Sequence, residues 1–182
     1  MNWTDNELID GCKRRSVKHE EFFFKKYYGY VMRISMSYVK TKELAQEITH
    51  DSFLKFFDSI KKNDELMSIK PWLRKITINT SIDYYRKNQK FQNHEIADGD
   101  TPVFYMEDAV DKLAYEEILE LLHRLPSDYR LVFNLYEVEG FSHKEIAERM
   151  GITDSSSRVY LARAKNQLRQ LIQKHLKEYA GR

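Results

Sequence analysis

Apolar residues along this chain recur at intervals of three and four from one end to the other, the spacing of a helical face. "TDNE" (4–7) opens the pattern as a capping box, with Thr4 at N-cap and Glu7 at N3, ahead of Leu8, Ile9 and Cys12. A second helix is expected from near Ser16 to about Val39, its aromatics Phe22, Phe23, Phe24, Tyr27, Tyr28 and Tyr30 directed to a core. Thr41 can cap a third helix, in which Leu44, Ala45, Ile48, Phe53, Phe56, Phe57 and Ile60 form the buried set. "KKNDELMSIK" (61–70) breaks the periodicity and reads as a loop. Pro71 then suits the first turn of a fourth helix that carries Trp72, Leu73, Ile76 and Ile82 and ends in the basic "YYRKNQK".

From Phe91 to about Glu107 the pattern stops: "FQNHEIADGDTPVFYMED" holds a Gly-Asp turn signal and a Thr-Pro, and reads as a linker. Helices resume at Asp108–Leu125, with Val110, Leu113, Ile118, Leu121, Leu122 and Leu125 on one stripe and Pro126 ending it. Ser127 is expected to cap the next helix, with Leu131, Val132, Leu135 and Tyr136 inward and Gly140 closing it. "SHKE" (142–145) is a second capping box, Gly151 a positive-φ turn residue, and Thr153 or Asp154 the cap of a long last helix. In that helix Leu161, Ala164, Leu168, Leu171, Ile172 and Leu176 are expected to pack inward. The pattern predicts an all-α protein of two small helical domains, 1–90 and 108–182, joined by a flexible acidic linker at 91–107.

Composition narrows this further. One cysteine excludes an internal disulfide and any multi-cysteine zinc site, and suits a reducing cytoplasm. No apolar run reaches the length of a membrane span, and "MNWTDNELID" is unlike a signal peptide, so a cytoplasmic protein without membrane insertion is expected. The net charge of +2 conceals a division. Residues 1–90 hold 18 Lys/Arg against 12 Asp/Glu, residues 91–140 hold 3 against 12, and residues 141–182 hold 9 against 4. Two basic ends around an acidic middle suit two surfaces for a polyanion, with the acidic segment free to lie against them.

Residues 142–165 give that charge a use. A short helix, a glycine turn plugged by Ile152, and a helix opening on serines and arginines match a helix-turn-helix that reads a major groove. Asp154, Ser155, Ser156 and Arg158 would face outward at the N-terminus of the reading helix, with Arg163 and Lys165 further along toward the backbone. On these residues alone an ordinary helical hairpin stays open.

"LHRLPSDYRLVFNLYEVEGFSHKEIAERMGITDSSSRVYLARAKNQLRQLI" (122–172) closely resembles region 4 of the extracytoplasmic-function (ECF) type of bacterial sigma factor. "ELAQEITHDSFLKFF" (43–57) and "PWLRKITINTSIDYYRK" (71–87) resemble region 2 of the same family. The resemblance implies a non-enzymatic protein, without metal or cofactor, that binds core RNA polymerase and promoter DNA. Region 2 would open the −10 element and region 4 would read the −35 element. It places polymerase contact on Gln46, Glu47, His50 and Asp51. It places −10 contact around Lys70 and Trp72 and along Asn79, Asp83, Tyr84, Arg86, Lys87 and Lys90. Trp72 is better suited to the core than to a −10 contact, and Asp83 and Arg86 are spaced for a local ion pair. His50-Asp51 lacks the second His/Asp cluster that a metal phosphohydrolase needs. "DSSSR" (154–158) departs from the usual "x-G-T-V-K", Ser157 standing where a buried valine is common. Many members of the family are held by an anti-sigma factor, so such a partner is allowed for.

The resemblance also explains the linker. Promoter elements more than one helical turn apart, about 34 Å, exceed the reach of a compact chain of this length, whose radius of gyration is about 16 Å. A linker of about 18 residues spans up to about 60 Å. Two other readings remain: a stand-alone helix-turn-helix regulator, and a helical adaptor that binds polyanions without sequence preference.

Overall fold

The computed structural model describes residues 3–61, 68–89 and 109–180. The middle of the expected loop, Lys90, the expected linker with its acidic groups, and Asp108 lie outside the described residues. So do the side chains of Val110 and Leu113.

In the first half, four helices follow in order: α1 (Asp5–Lys13), α2 (Val17–Tyr38), α3 (Lys42–Ser59) and α4 (Ile69–Gln89). Their starts lie where local chemistry favours them. The Thr4 hydroxyl accepts from the Glu7 amide while the Glu7 carboxylate accepts from the Thr4 amide, and Thr41 caps α3 by accepting from the Leu44 amide. Phe23, Tyr27, Phe53, Phe56, Ile60 and Leu73 build the first core, with Phe23 stacked on Phe56 at 4.7 Å. Phe22, Phe24, Tyr28 and Tyr30 are half-buried at its margin rather than inside it. On α4, Thr77, Thr80 and Ser81 are buried, and each hydroxyl donates to the carbonyl four residues earlier, so small side chains let α4 pack closely without orphaned donors.

The second half comprises α5 (Ala109–His123), α6 (Ser127–Phe133), a π-helical turn (Asn134–Val138), α7 (His143–Met150) and α8 (Asp154–Ala180). Several expectations are corrected here. The cap of α6 is Pro126, in extended conformation, and Ser127 is its first residue, making no capping bond. Ile118 is 57% exposed, because α5 turns Tyr115 and Leu119 toward α2 and α3 and leaves Ile118 off that face. Tyr136 is also exposed: the Glu139 amide donates to the Asn134 carbonyl, five residues back, and this wider turn rotates Tyr136 out of the α-helical stripe. Ile172 and Leu176 are exposed because α8 runs on past the helices it packs against.

The two halves are closed on each other. Ile34, Tyr38, Ile78 and Ile82 of the first share one core with Leu131, Val132, Leu135, Ile146, Met150 and Leu161 of the second. The C-terminus of α2 has no basic residue in its last turn, and the second half supplies the donors that its free carbonyls need. His123 Nε2 donates to Met36 at 2.8 Å, Asn134 Nδ2 to Ser37 at 2.6 Å and Arg130 Nη2 to Tyr38 at 3.2 Å, while one turn earlier Tyr115 OH adds a bond to the Arg33 carbonyl. Arg74 of α4 makes a two-bond fork to Glu139, Nε to Oε2 at 2.8 Å and Nη2 to Oε1 at 2.7 Å. The π turn makes both contacts available at once, since residues five apart in a regular α-helix lie on well-separated faces.

Candidate nucleic-acid and polymerase interfaces

The helix-turn-helix is built from two caps and one glycine. Ser142 and Glu145 exchange hydrogen bonds as a capping box that starts α7, and Gly151, at φ +70°, ends it in the left-handed conformation that a side chain would strain. Ile146, Ala147 and Met150 are buried beneath the crossing helices. Thr153 caps α8, its hydroxyl accepting from the Ser156 amide at 3.0 Å. This leaves Ser155 and Arg158 exposed and Asp154 and Ser156 half-exposed at the start of α8. Arg158 is held by Asp154 at 2.7 Å, Arg163 donates to the Tyr129 hydroxyl at 3.1 Å, and Lys165 pairs with Glu137 at 2.7 Å. The six residues therefore occupy one helix, with four at its N-terminal turns and two further along.

Ser157 is fully buried, and its hydroxyl lies 2.9 Å from Nδ1 of His143 on α7. The His143 ring stacks on Tyr136 at 4.5 Å and 24°. Burial, together with the charges of Arg158 and Lys165, pulls the His143 pKa below its ordinary value against the opposing pull of Asp154. Sequence reasoning singled out Ser157 as a departure but missed His143, whose role depends on a turn of non-standard geometry.

Candidate −10 residues on α4 are spread over more than one face. Lys70 is exposed at its start, with its ammonium 5.8 Å from the centre of the Tyr30 ring. Trp72 is half-buried, edge-on to Phe56 at 5.0 Å, as part of the first core's margin. Asn79 faces the second half, its Oδ1 accepting from Arg149 Nη1 at 2.8 Å. Tyr84 is half-buried against the cluster around Met32 and Ile48. Asp83, Arg86 and Lys87 are exposed. Asp83 pairs with Lys55 of α3 at 3.1 Å, not with Arg86, because α3 packs alongside and offers a better-placed ammonium.

On α3, Glu47, His50 and Asp51 lie exposed and Gln46 half-exposed. His50 lies 5.9 Å from the Phe24 ring, and Leu54, one turn on, is 64% exposed. Leu54 was missed by sequence reasoning: its helical phase, one turn past the charged strip, was the available signal.

A helical protein built around a helix-turn-helix of this kind belongs to the class of DNA-binding proteins. A family model of Sigma-70 region 2 matches residues 23–91, and one of Sigma-70, region 4 matches residues 115–168. The chain is 30% identical over 154 residues to the ECF RNA polymerase sigma factor SigM of Bacillus subtilis, covering 81% of this chain and 91% of that one. It is 30% identical over 132 residues to the sigma factor SigV of the same organism, covering 72% and 78%. Among solved structures, the sigma factor RpoE of Bartonella quintana, in complex with the anti-sigma factor NepR, shares the fold with a TM-score of 0.53. It is 19% identical, covering 86% of this chain and 98% of that chain.

The chain belongs to the sigma-70 family of RNA polymerase sigma factors, in its ECF group. It directs transcription from promoters, and the stand-alone regulator is not favoured. The family is one of sigma factors rather than catalysts. Among the described residues no helix is long and apolar enough to cross a membrane.

Proposed function

We propose that this sigma factor works in the cytoplasm through three surfaces, with 1–90 and 108–182 acting as domains about the 91–107 linker. Asp154, Ser155, Ser156 and Arg158 meet the −35 element, with Arg163 and Lys165 on flanking phosphates. The exposed end of α4, Arg86 and Lys87 with Lys90 beyond it, meets the −10 element, together with Lys70, Trp72, Asn79, Asp83 and Tyr84. The α3 strip of Gln46, Glu47, His50 and Asp51, extended by Leu54, docks on core polymerase. The closed arrangement is the resting form of the free chain. Opening it frees Asn79 from Arg149 and lets the halves separate to span a promoter. An anti-sigma partner, as held by the Bartonella structure's sigma factor, would act on the same equilibrium.

The observation that carries this reading is the exposed start of α8, capped by Thr153, in a chain that also presents an exposed apolar residue, Leu54, amid the charged face of α3. The test is size-exclusion with bacterial core polymerase, followed by transcription from a promoter library. Co-elution with promoter-specific transcripts is expected. Specific duplex binding without association with core polymerase would overturn it.

A further inference from the structure

In the family pattern "x-G-T-V-K" that "DSSSR" (154–158) departs from, a valine stands at the place of Ser157. A buried serine in its place must satisfy a hydroxyl, since an unpaired buried polar group is costly. The satisfying atom is Nδ1 of His143, 2.9 Å away on the other helix of the motif. His143 is held in turn by the stack on Tyr136, which the π turn has rotated outward. Lys165 of α8 closes the cluster, pairing with Glu137 at 2.7 Å and lying 5.9 Å from the centre of the Tyr136 ring. The first turn of α8 is thus tied to α7 and to the π turn by oriented contacts at the depth where a valine would make only an apolar one.

Resting on the −35 reading above, we propose that His143 is a positioning residue for −35 recognition. It sets the seat of the first turn of α8 through Ser157, and so sets which base edges Ser155, Ser156 and Arg158 reach. A hydrogen bond has a preferred direction that an apolar contact lacks, so this seat is more narrowly defined than a valine's. Ser157 is one residue from Arg158 and two from Ser155, so a small rotation of this turn shifts every outward group together. The chain's departure from the common pattern is therefore a matched pair, Ser157 with His143, and neither member carries the function alone.

The test measures promoter selection by the reconstituted holoenzyme on a panel of promoters with single substitutions in the −35 and −10 elements. The chains compared are wild type, His143→Ala, His143→Asn, Ser157→Val and His143→Ala/Ser157→Val. His143→Ala is expected to reduce discrimination among −35 variants by about fivefold to tenfold, at the lower end of the range that one well-placed base contact provides, and to leave −10 discrimination unchanged. His143→Asn keeps an amide near the Nδ1 position and is expected to recover part of the loss. The double variant, with an apolar seat, is expected to discriminate better than His143→Ala alone. Unchanged −35 discrimination in His143→Ala, or losses that simply multiply in the double variant, would overturn the proposal. An equal loss on both elements would assign His143 to stability alone and overturn it as well. A wild-type holoenzyme with no −35 preference would instead remove the reading on which the proposal rests.

Discussion

Glu139→Gln is the sharpest probe of the closed form. The Glu139 side chain is 8% exposed and Arg74's is 36% exposed, so the fork is mostly shielded on one side and reachable by water on the other. Two hydrogen bonds to charged groups contribute about 1.5–3 kcal/mol each when fully shielded, whereas an exposed pair contributes about 0–1 kcal/mol. For a half-shielded fork, with glutamine retaining one acceptor, roughly 2 kcal/mol is lost, about thirtyfold in the closed-to-open equilibrium. Where only the open form binds DNA, apparent affinity scales with its population. The free variant should therefore bind promoter duplex up to about thirtyfold more tightly at moderate salt. Its radius of gyration by small-angle X-ray scattering should rise above the roughly 16 Å of a compact chain. The holoenzyme's promoter affinity should stay within about twofold, since there the fork is already broken. An unchanged radius and unchanged free-chain affinity would refute the clasp, whatever happened to thermal stability.

Closure should also weaken in acid. Burial, reinforced by the charges of Arg130 and Lys40, lowers the His123 pKa below 6.5, so the folded, closed chain binds fewer protons than the open one in the window just under that value. Stability from this group is present above pH 6.5 and is lost as pH falls below it. Scattering between pH 7.5 and 5.5 should show opening in the wild type and a flatter response in His123→Gln, which keeps a donor for the Met36 carbonyl; parallel curves would remove His123 from the clasp. Leu54→Ala should leave the melting temperature nearly unchanged yet weaken binding to core polymerase about tenfold or more, as loss of a docking anchor of about 1–3 kcal/mol would. Equal affinities would place the docking surface elsewhere.

What could be read from the sequence was what is decided locally. The boxes at Thr4 and Ser142, the cap at Thr41 and the turn at Gly151 each depend on residues within four positions, and all four form as expected. The all-α, two-domain architecture followed from periodicity for the same reason. The exposures of Ile118, Ile172 and Leu176 did not, because a helical stripe shows which residues share a face and not how far the neighbouring helix extends. The π turn was illegible: nothing in "NLYEV" marks a residue inserted into a helix. Asp83 paired with Lys55, 28 positions away, in preference to Arg86 nearby, a choice made by tertiary packing. The cap that the second half places on α2 joins residues about 90 to 100 positions apart, beyond any local pattern.

Closure carries its own opposition, in Arg130. Its side chain is buried to 3% exposure, Nη2 donates to the Tyr38 carbonyl, and among the described residues Nε and Nη1 donate to nothing. Burial pulls the guanidinium pKa down to about 10, the sign of a cation held where charge is disfavoured. The α2 C-terminus offers partial compensation, worth up to about 2 kcal/mol in partly buried geometry. Each orphaned donor costs about 1–3 kcal/mol, more where the group is charged. Opening returns Arg130 to water and recovers that cost, which offsets part of what the shared core and the Arg74–Glu139 fork provide. Arg130→Met, of similar length and apolar, gives up one hydrogen bond and removes the buried cation, an exchange that favours the closed form by roughly 1–2 kcal/mol. The variant should therefore bind promoter duplex about fivefold to thirtyfold more weakly as a free chain and need more core polymerase to reach half-maximal transcription. A variant that opened instead, with a larger radius of gyration and tighter free-chain binding, would show that Arg130 fastens the closed form rather than loading it.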